Sequence, residues 1–175
     1  MHPRYHSTKQ TFYYLNPIFF VLLDLLDIGM SRRLLKQSVS LLHVNHAFLN
    51  SKWNYRNVIS PYYRIYYIDE GEGIISGPDE NLRLEPGYLY MAPSFTLYNM
   101  KCQEYLSQYF LHFFEESADG ISLFYNNRSL MKMPASDIDV WNFKRLLLIN
   151  PKRGINRSDN PKMYEKSVYY AEYRN

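Results

Sequence analysis

The side chains with the widest chemical repertoire are few: Cys102, the only cysteine, and His43, His46 and His112 among five histidines. A single cysteine rules out a disulfide within the chain or a cysteine-based zinc site, and it suits a reducing, cytoplasmic compartment. Nothing in the pattern places it beside a general base, so a nucleophilic role has no support. His43 and His46 stand three residues apart, a spacing that aims both at one metal ion only on a helix. On a strand the two rings point to opposite faces. His112 sits in Tyr105 to Glu115, a run that is apolar or aromatic at nearly every position. There a histidine is either a satisfied core group or a working one.

Those residues have to be positioned by a small scaffold. The chain has 175 residues, enough for one domain with an appendage. Its 18 Tyr and 10 Phe are unusual, because each ring buries a large body while the tyrosines keep a polar tip. Such a chain favours half-buried strands and binding surfaces. The net charge is +3, from 20 basic and 17 acidic residues, too mild for a nucleic-acid footprint. The basic cluster Lys152, Arg153 and Arg157 lies in a stretch broken by Pro and Asn and reads as a solvated loop.

At the N-terminus, a polar basic stretch precedes the largely apolar Tyr13 to Ile28, the order of a secretory signal. Pro17, Asp24 and Asp27 interrupt it, no small-residue cleavage site follows, and it is too short to span a bilayer. Met30 opens Met-Ser-Arg-Arg-Leu-Leu-Lys, which reads as an ordinary protein start. Residues 1–29 are therefore expected to be an extension of doubtful status. The alternative is a helix, Phe19 to Leu26, packed on the domain.

From Ser40 to Met133 the pattern is all β: short runs rich in Val, Ile, Tyr and Phe, separated by turn residues. Strands are expected at Ser40–Phe48, Tyr62–Ile68, Leu82–Leu84, Tyr88–Ala92, Phe95–Met100, Tyr105–Glu115 and Ser129–Met133. Asp69 to Gly73 reads as a hairpin turn returning through Ile74 and Ile75, and Gly77 to Asn81 as the next turn. The period then changes. Ser136 with Asp139 fits a capping pair, and Ile138, Trp141, Arg145 and Leu148 recur at helical spacing, with Phe143 and Leu147 beside them. Asn150-Pro151 ends that helix.

Two segments together carry a resemblance. Tyr66-Tyr67-Ile68-Asp69-Glu70-Gly71-Glu72-Gly73 is followed by Leu84-Glu85-Pro86-Gly87-Tyr88-Leu89-Tyr90-Met91-Ala92-Pro93. In order and spacing they resemble the N-terminal domain of AraC-type transcription regulators, over roughly residues 34 to 165. Trp53-Asn54-Tyr55, Gln108 to Phe114 and Phe143 to Pro151 add to the likeness. The resemblance implies a mainly β, cupin-like barrel (double-stranded β-helix or jelly roll) over residues 30–134. One or two C-terminal helices and the start of a linker would fill residues 135–175 and make a homodimer.

The resemblance also implies a small-molecule effector inside the barrel, near the expected hairpin and the last long strand. The candidate ligand residues are Tyr66, Glu70, Tyr98, Tyr109 and His112, with Arg64 and Trp53 behind them. Glu70, Tyr98 and Tyr109 occupy positions that contact the sugar in the sugar-binding members, but their residue types differ, so a different ligand is expected. Strand alternation sets Gln108, Phe110 and His112 on one face and Tyr109, Leu111 and Phe113 on the other. Tyr109 and His112 therefore cannot both face one pocket without a bulge.

The expected function is ligand sensing and dimerisation in a bacterial, cytoplasmic regulator, with a sugar or another small metabolite as effector. No enzymatic activity, metal, cofactor or membrane contact is expected. A metal-binding cupin needs a His-x-His pair and a later His, but the stretch after Gly73 holds no histidine and neither does Tyr88 to Pro93. A cupin enzyme is thus disfavoured, while a barrel filled by its own rings and serving only to dimerise stays open. Family members continue into two helix-turn-helix units, and nothing after residue 150 shows that pattern. The expectation is a fragment or truncated gene product that does not read DNA by itself.

Overall fold

In the structure, a computed structural model, the described residues are 37–117, 120–122, 124–126, 128–151 and 153–154. The N-terminal extension, its alternative helix and the tail after Gly154 lie outside them. The elements run β1 (Gln37–Asn50), β2 (Asn54–Val58), β3 (Tyr63–Ser76), β4 (Asn81–Leu84), β5 (Tyr88–Ala92), β6 (Tyr98–Ser117), β7 (Met131–Pro134) and α1 (Asp137–Ile149).

The strands form one antiparallel sheet in the order β1-β6-β3-β5-β7, with β2 added to β6 and β4 added to β3. β3 and β6 are long enough to serve two halves. Tyr63–Ile68 of β3 and Leu106–Phe113 of β6 lie with β1, β5 and β7. The other ends, Gly73–Ser76 and Tyr98–Cys102, lie with β4 and β2.

The stretch Asp69 to Gly73 does not turn the chain back, as expected, but bends β3 in mid-course. Register with β6 shifts between Ile68 and Glu70 and again between Gly71 and Gly73. Gly71 has φ +75°, and a Cβ there would lie 2.3 Å from the carbonyl oxygen of Tyr105. Only glycine fits such a backbone angle at such a close approach. The break expected between Met100 and Tyr105 is likewise absent, and β6 runs through it.

One buried cluster draws Ala47 and Leu49 of β1, Val58 of β2, Tyr66 and Ile75 of β3, Leu84 of β4, Tyr90 of β5 and Phe110 of β6 together. Residues from both halves meet there, so the halves face each other and enclose a barrel interior. A second cluster lies outside the larger half: Val44, Ile65, Leu89, Leu111 and Phe113, covered by Phe143 and Leu146 of α1 and by Phe124. This explains why β6 reads as apolar at nearly every position, since both its faces are covered. The mainly β, cupin-like class with a helix behind it is the one expected from the sequence.

The motif residues perform as their chemistry suggests. Gly87 takes φ +83°, with its N–H donating to Ile68 O at 2.9 Å and its carbonyl accepting from Ala135 N at 2.8 Å. At the start of α1, Ser136 Oγ accepts from Asp139 N at 3.3 Å and Asp139 Oδ2 accepts from Ser136 N at 2.8 Å. The capping pair is therefore reciprocal, even with Asp in place of the longer Glu.

Candidate functional site

Alternation along β6 turns His112 inward, and its neighbours on either side fix its company. Arg64 of β3 stands opposite it in one ladder and His43 of β1 in the other. The result is a row of three basic side chains, Arg64–His112–His43, across the inner wall. All three are buried.

Hydroxyls and rings surround this row. Arg64 Nη2 donates to Ser60 Oγ at 2.5 Å and to Tyr62 OH at 3.1 Å, and the guanidinium carbon lies 5.1 Å from the Tyr62 ring centroid. The His112 ring packs 5.0 Å from Tyr62, 4.9 Å from Phe110 and 5.7 Å, edge-on, from His43. The hydroxyls of Tyr66 and Tyr98 meet at 3.5 Å deeper in the interior. His112 Nδ1 and Gln108 Oε1 are buried with no hydrogen-bond partner among the described residues, a state that costs stability unless a ligand or water completes it.

Electrostatically the row carries its charge at one end. Burial lowers the His43 pKa to about 4, helped by the charges of Arg153 and Arg64. Burial also holds His112 well below its ordinary value, with Arg64 and His43 adding to the effect. Both imidazoles are therefore neutral at pH 7. Burial works against the charge on Arg64, but Tyr98, Tyr66 and Tyr62 outweigh it and raise the pKa, so the guanidinium stays charged. Tyr98 is pushed well above its ordinary value by burial, against the pull of Arg64, and remains a neutral hydroxyl.

Of the candidates read from the sequence, Arg64, Tyr66, Tyr98 and His112 meet in this interior, and Trp53 packs in the same cluster. Tyr109 and Glu70 are elsewhere. Tyr109 is on the outer face, half-buried beside Tyr67 and Phe143 and stacked on His46 at 3.9 Å with an 8° interplanar angle. Glu70 is exposed at the bend of β3 and accepts from Tyr105 OH at 3.2 Å. Ser60, Tyr62, His43 and Gln108 belong to the inner polar set but were not among the candidates. Tyr62 could have been found, since it lies two residues before Arg64 and shares its face.

His43 and His46 do point to opposite faces. On the outside, His46 Nε2 lies 2.9 Å from both Asp69 Oδ2 and Ser107 Oγ, which brings together the three residue types of a hydrolytic triad. Both partners meet the same ring nitrogen. A relay needs the carboxylate on one nitrogen and the hydroxyl on the other, so this set is structural. No group of three His, Cys, Asp or Glu placed to hold a metal ion occurs among the described residues.

Grooves lined by described residues lie outside the barrel. One of about 700 Å³ is bordered by Tyr63, Phe95, Glu115, Tyr125 and Arg128, and another of about 620 Å³ lies on the other side of Phe95. Phe95 is 62% exposed and takes φ +56°, an uncommon angle for a bulky residue.

No known family profile matches the chain, and no curated protein matches it. Similar solved structures include ToxT from Vibrio cholerae with bound unsaturated fatty acid, at 11% identity and TM-score 0.41, covering 65% of this chain and 47% of that one. The putative glyoxylate-induced protein of Pseudomonas aeruginosa is similar at 10% identity and TM-score 0.41, covering 58% and 42%. The DMSP lyase DddQ of Ruegeria pomeroyi follows at 15% identity and TM-score 0.36, covering 61% and 54%. Likenesses this slight assign no function to the chain. Among the described residues no helix is long and apolar enough to cross a membrane.

Proposed function

We propose that this chain is the effector-sensing and dimerisation domain of an AraC-type transcription regulator. The observation that carries the reading is the convergence of Arg64, Tyr66, Tyr98 and His112, with Ser60, Tyr62, His43 and Gln108 beside them, inside a barrel whose remaining core is largely apolar. A binding pocket is mostly apolar, with a few placed polar groups that fix the ligand's orientation. The effector is a small molecule, with sugars and other small metabolites as the classes to test. Residues 30–134 form the sensing barrel and residues 135–175 the dimerisation helix and linker start. The protein works in the cytoplasm, catalyses no reaction and touches DNA only through a further helix-turn-helix domain.

Homodimer formation is supported by α1. It buries Asp139, Asn142, Phe143 and Leu146 against the barrel and leaves Ile138 (67%), Trp141 (61%) and Leu148 (70%) in solvent. The periodic apolar stripe seen in the sequence is thus the outward face, and an exposed stripe of this kind marks an interaction surface.

Thermal unfolding against a panel of sugars, organic acids and common metabolites tests the reading. A ligand that binds only the folded state raises the midpoint as its concentration rises, and His112→Asn should abolish that rise. A second reading, a filled barrel that only dimerises, is favoured by the rings of Trp53, Tyr66, Tyr90, Tyr98 and Phe110, which pack into one buried cluster. A silent panel with an intact dimer would favour that second reading.

A further inference from the structure

After α1 the chain turns back onto β1. Arg153 N donates to Asn150 O at 3.1 Å, and Arg153 O accepts from Val44 N at 3.1 Å. The guanidinium Nη1 of Arg153 donates to Leu41 O at 2.9 Å. Gly154 lies so close that a Cβ there would be 3.1 Å from Asn45 Nδ2. The contacts that Arg153 and Gly154 make with β1 thus fall on residues 41–45.

That stretch is irregular. The register of β1 against β6 shifts between Leu41 and His43, leaving Leu42 as an extra residue. A bulge bends its strand and re-aims side chains, and here Leu42 and His43 are both buried. The strap formed by Arg153 and Gly154 therefore grips the outer edge of β1 at the place where His43 closes the inner row Arg64–His112–His43. Arg153 is near enough for its charge to act on His43.

We propose that the docking of the Arg153–Gly154 strap on the β1 bulge is coupled to the arrangement of the Arg64–His112–His43 row. The bulge is the shared part. A shift of His43 moves the backbone that Arg153 holds, and release of the strap frees the backbone that holds His43. Such coupling is reciprocal by linkage, so it can be driven from either end. That the row is the effector site rests on the function proposed above, whereas the coupling does not. With an effector in place, the strap becomes the outlet of the signal, because it leads into the chain that follows the domain.

The test uses NMR on the full chain without any ligand, so its outcome does not depend on whether an effector is found. Arg153→Ala removes the bond to Leu41 O from an exposed residue. The Val44 amide is expected to exchange about tenfold faster, and the ring signals of His112, one strand further in, are expected to move with it. Arg64→Lys works from the inside and is expected to change Val44 exchange relative to the amides of the β3–β5 ladder. If Arg153→Ala leaves His112 unmoved, the strap is only a cover for the open edge of β1 and the proposal fails. An unchanged Val44 amide in Arg153→Ala, or in a folded Arg64→Lys protein, overturns it as well.

Discussion

The two faces of β6 are equally aromatic in sequence and opposite in character. Outward, Tyr109, Leu111 and Phe113 meet Phe143 and Leu146 of α1, with polar groups beside them where His46 meets Asp69 and Ser107 and where Asp139 and Asn142 of α1 are buried. Inward, Phe110 adjoins a row holding one charged guanidinium and two imidazoles kept neutral. The outer face gains stability mainly from apolar burial. The inner face gives some of that up to hold polar groups in a dry place, a cost that the proposed sensing role would account for.

The sharpest way to break this comparison is to cut the outer face. Phe143 is fully buried under α1, and Phe143→Ala is expected to cost about 3–5 kcal/mol by urea unfolding. A loss below about 1 kcal/mol would mean the helix is not a structural lid for that face.

Acid probes the inner face next. An unfolded chain protonates His43 near its ordinary value of 6.5, whereas the folded chain withholds the proton until about pH 4. Between those values the unfolded state binds more protons, so stability falls as pH drops and levels off below the folded value. The loss from His43 alone is about 3 kcal/mol, and His112 adds in the same direction. His43→Gln should flatten the slope of unfolding free energy between about pH 6.5 and pH 4.5. A slope identical to wild type would show that the inner row does not hold His43 neutral.

Smaller effects separate docking of the helix from its outward role. Ser136→Ala removes the N-cap hydroxyl and is expected to cost about 1 kcal/mol, read as a lower urea midpoint with unchanged m-value. Trp141→Ser should leave monomer stability within about 0.5 kcal/mol, because the ring is in solvent. It should nevertheless weaken self-association by sedimentation velocity. An unaltered association state would take α1 out of the proposed dimer.

Much of this was legible in the sequence, where local chemistry decides. The bounds of Tyr88–Ala92 follow from Pro86-Gly87 before it and Pro93 after it, and the α1 cap follows from Ser136 and Asp139. The opposite facing of His43 and His46 follows from the strand period. Three features were not legible. Asp69 to Gly73 has the composition of a turn, and only the carbonyl of Tyr105, distant in sequence, makes it a bend within a strand. β2, with the polar sequence Asn-Tyr-Arg-Asn-Val, is a strand because β6 offers it an edge. Alternation separated Tyr109 from His112, but the inward one is decided by where α1 lands, which no local pattern states.

The double passage of β3 and β6 through both halves has a mechanical consequence. Two sheets joined only by loops can hinge apart like covers, but here two continuous backbones cross the fold line side by side, pinned where Gly71 touches Tyr105. The middle of the sheet is its stiffest part. Motion large enough to admit a guest to the interior must begin at the free margins, β1 and β7 in one half or β2 and β4 in the other. At the β1 margin the fastening is the pair of bonds made by Arg153.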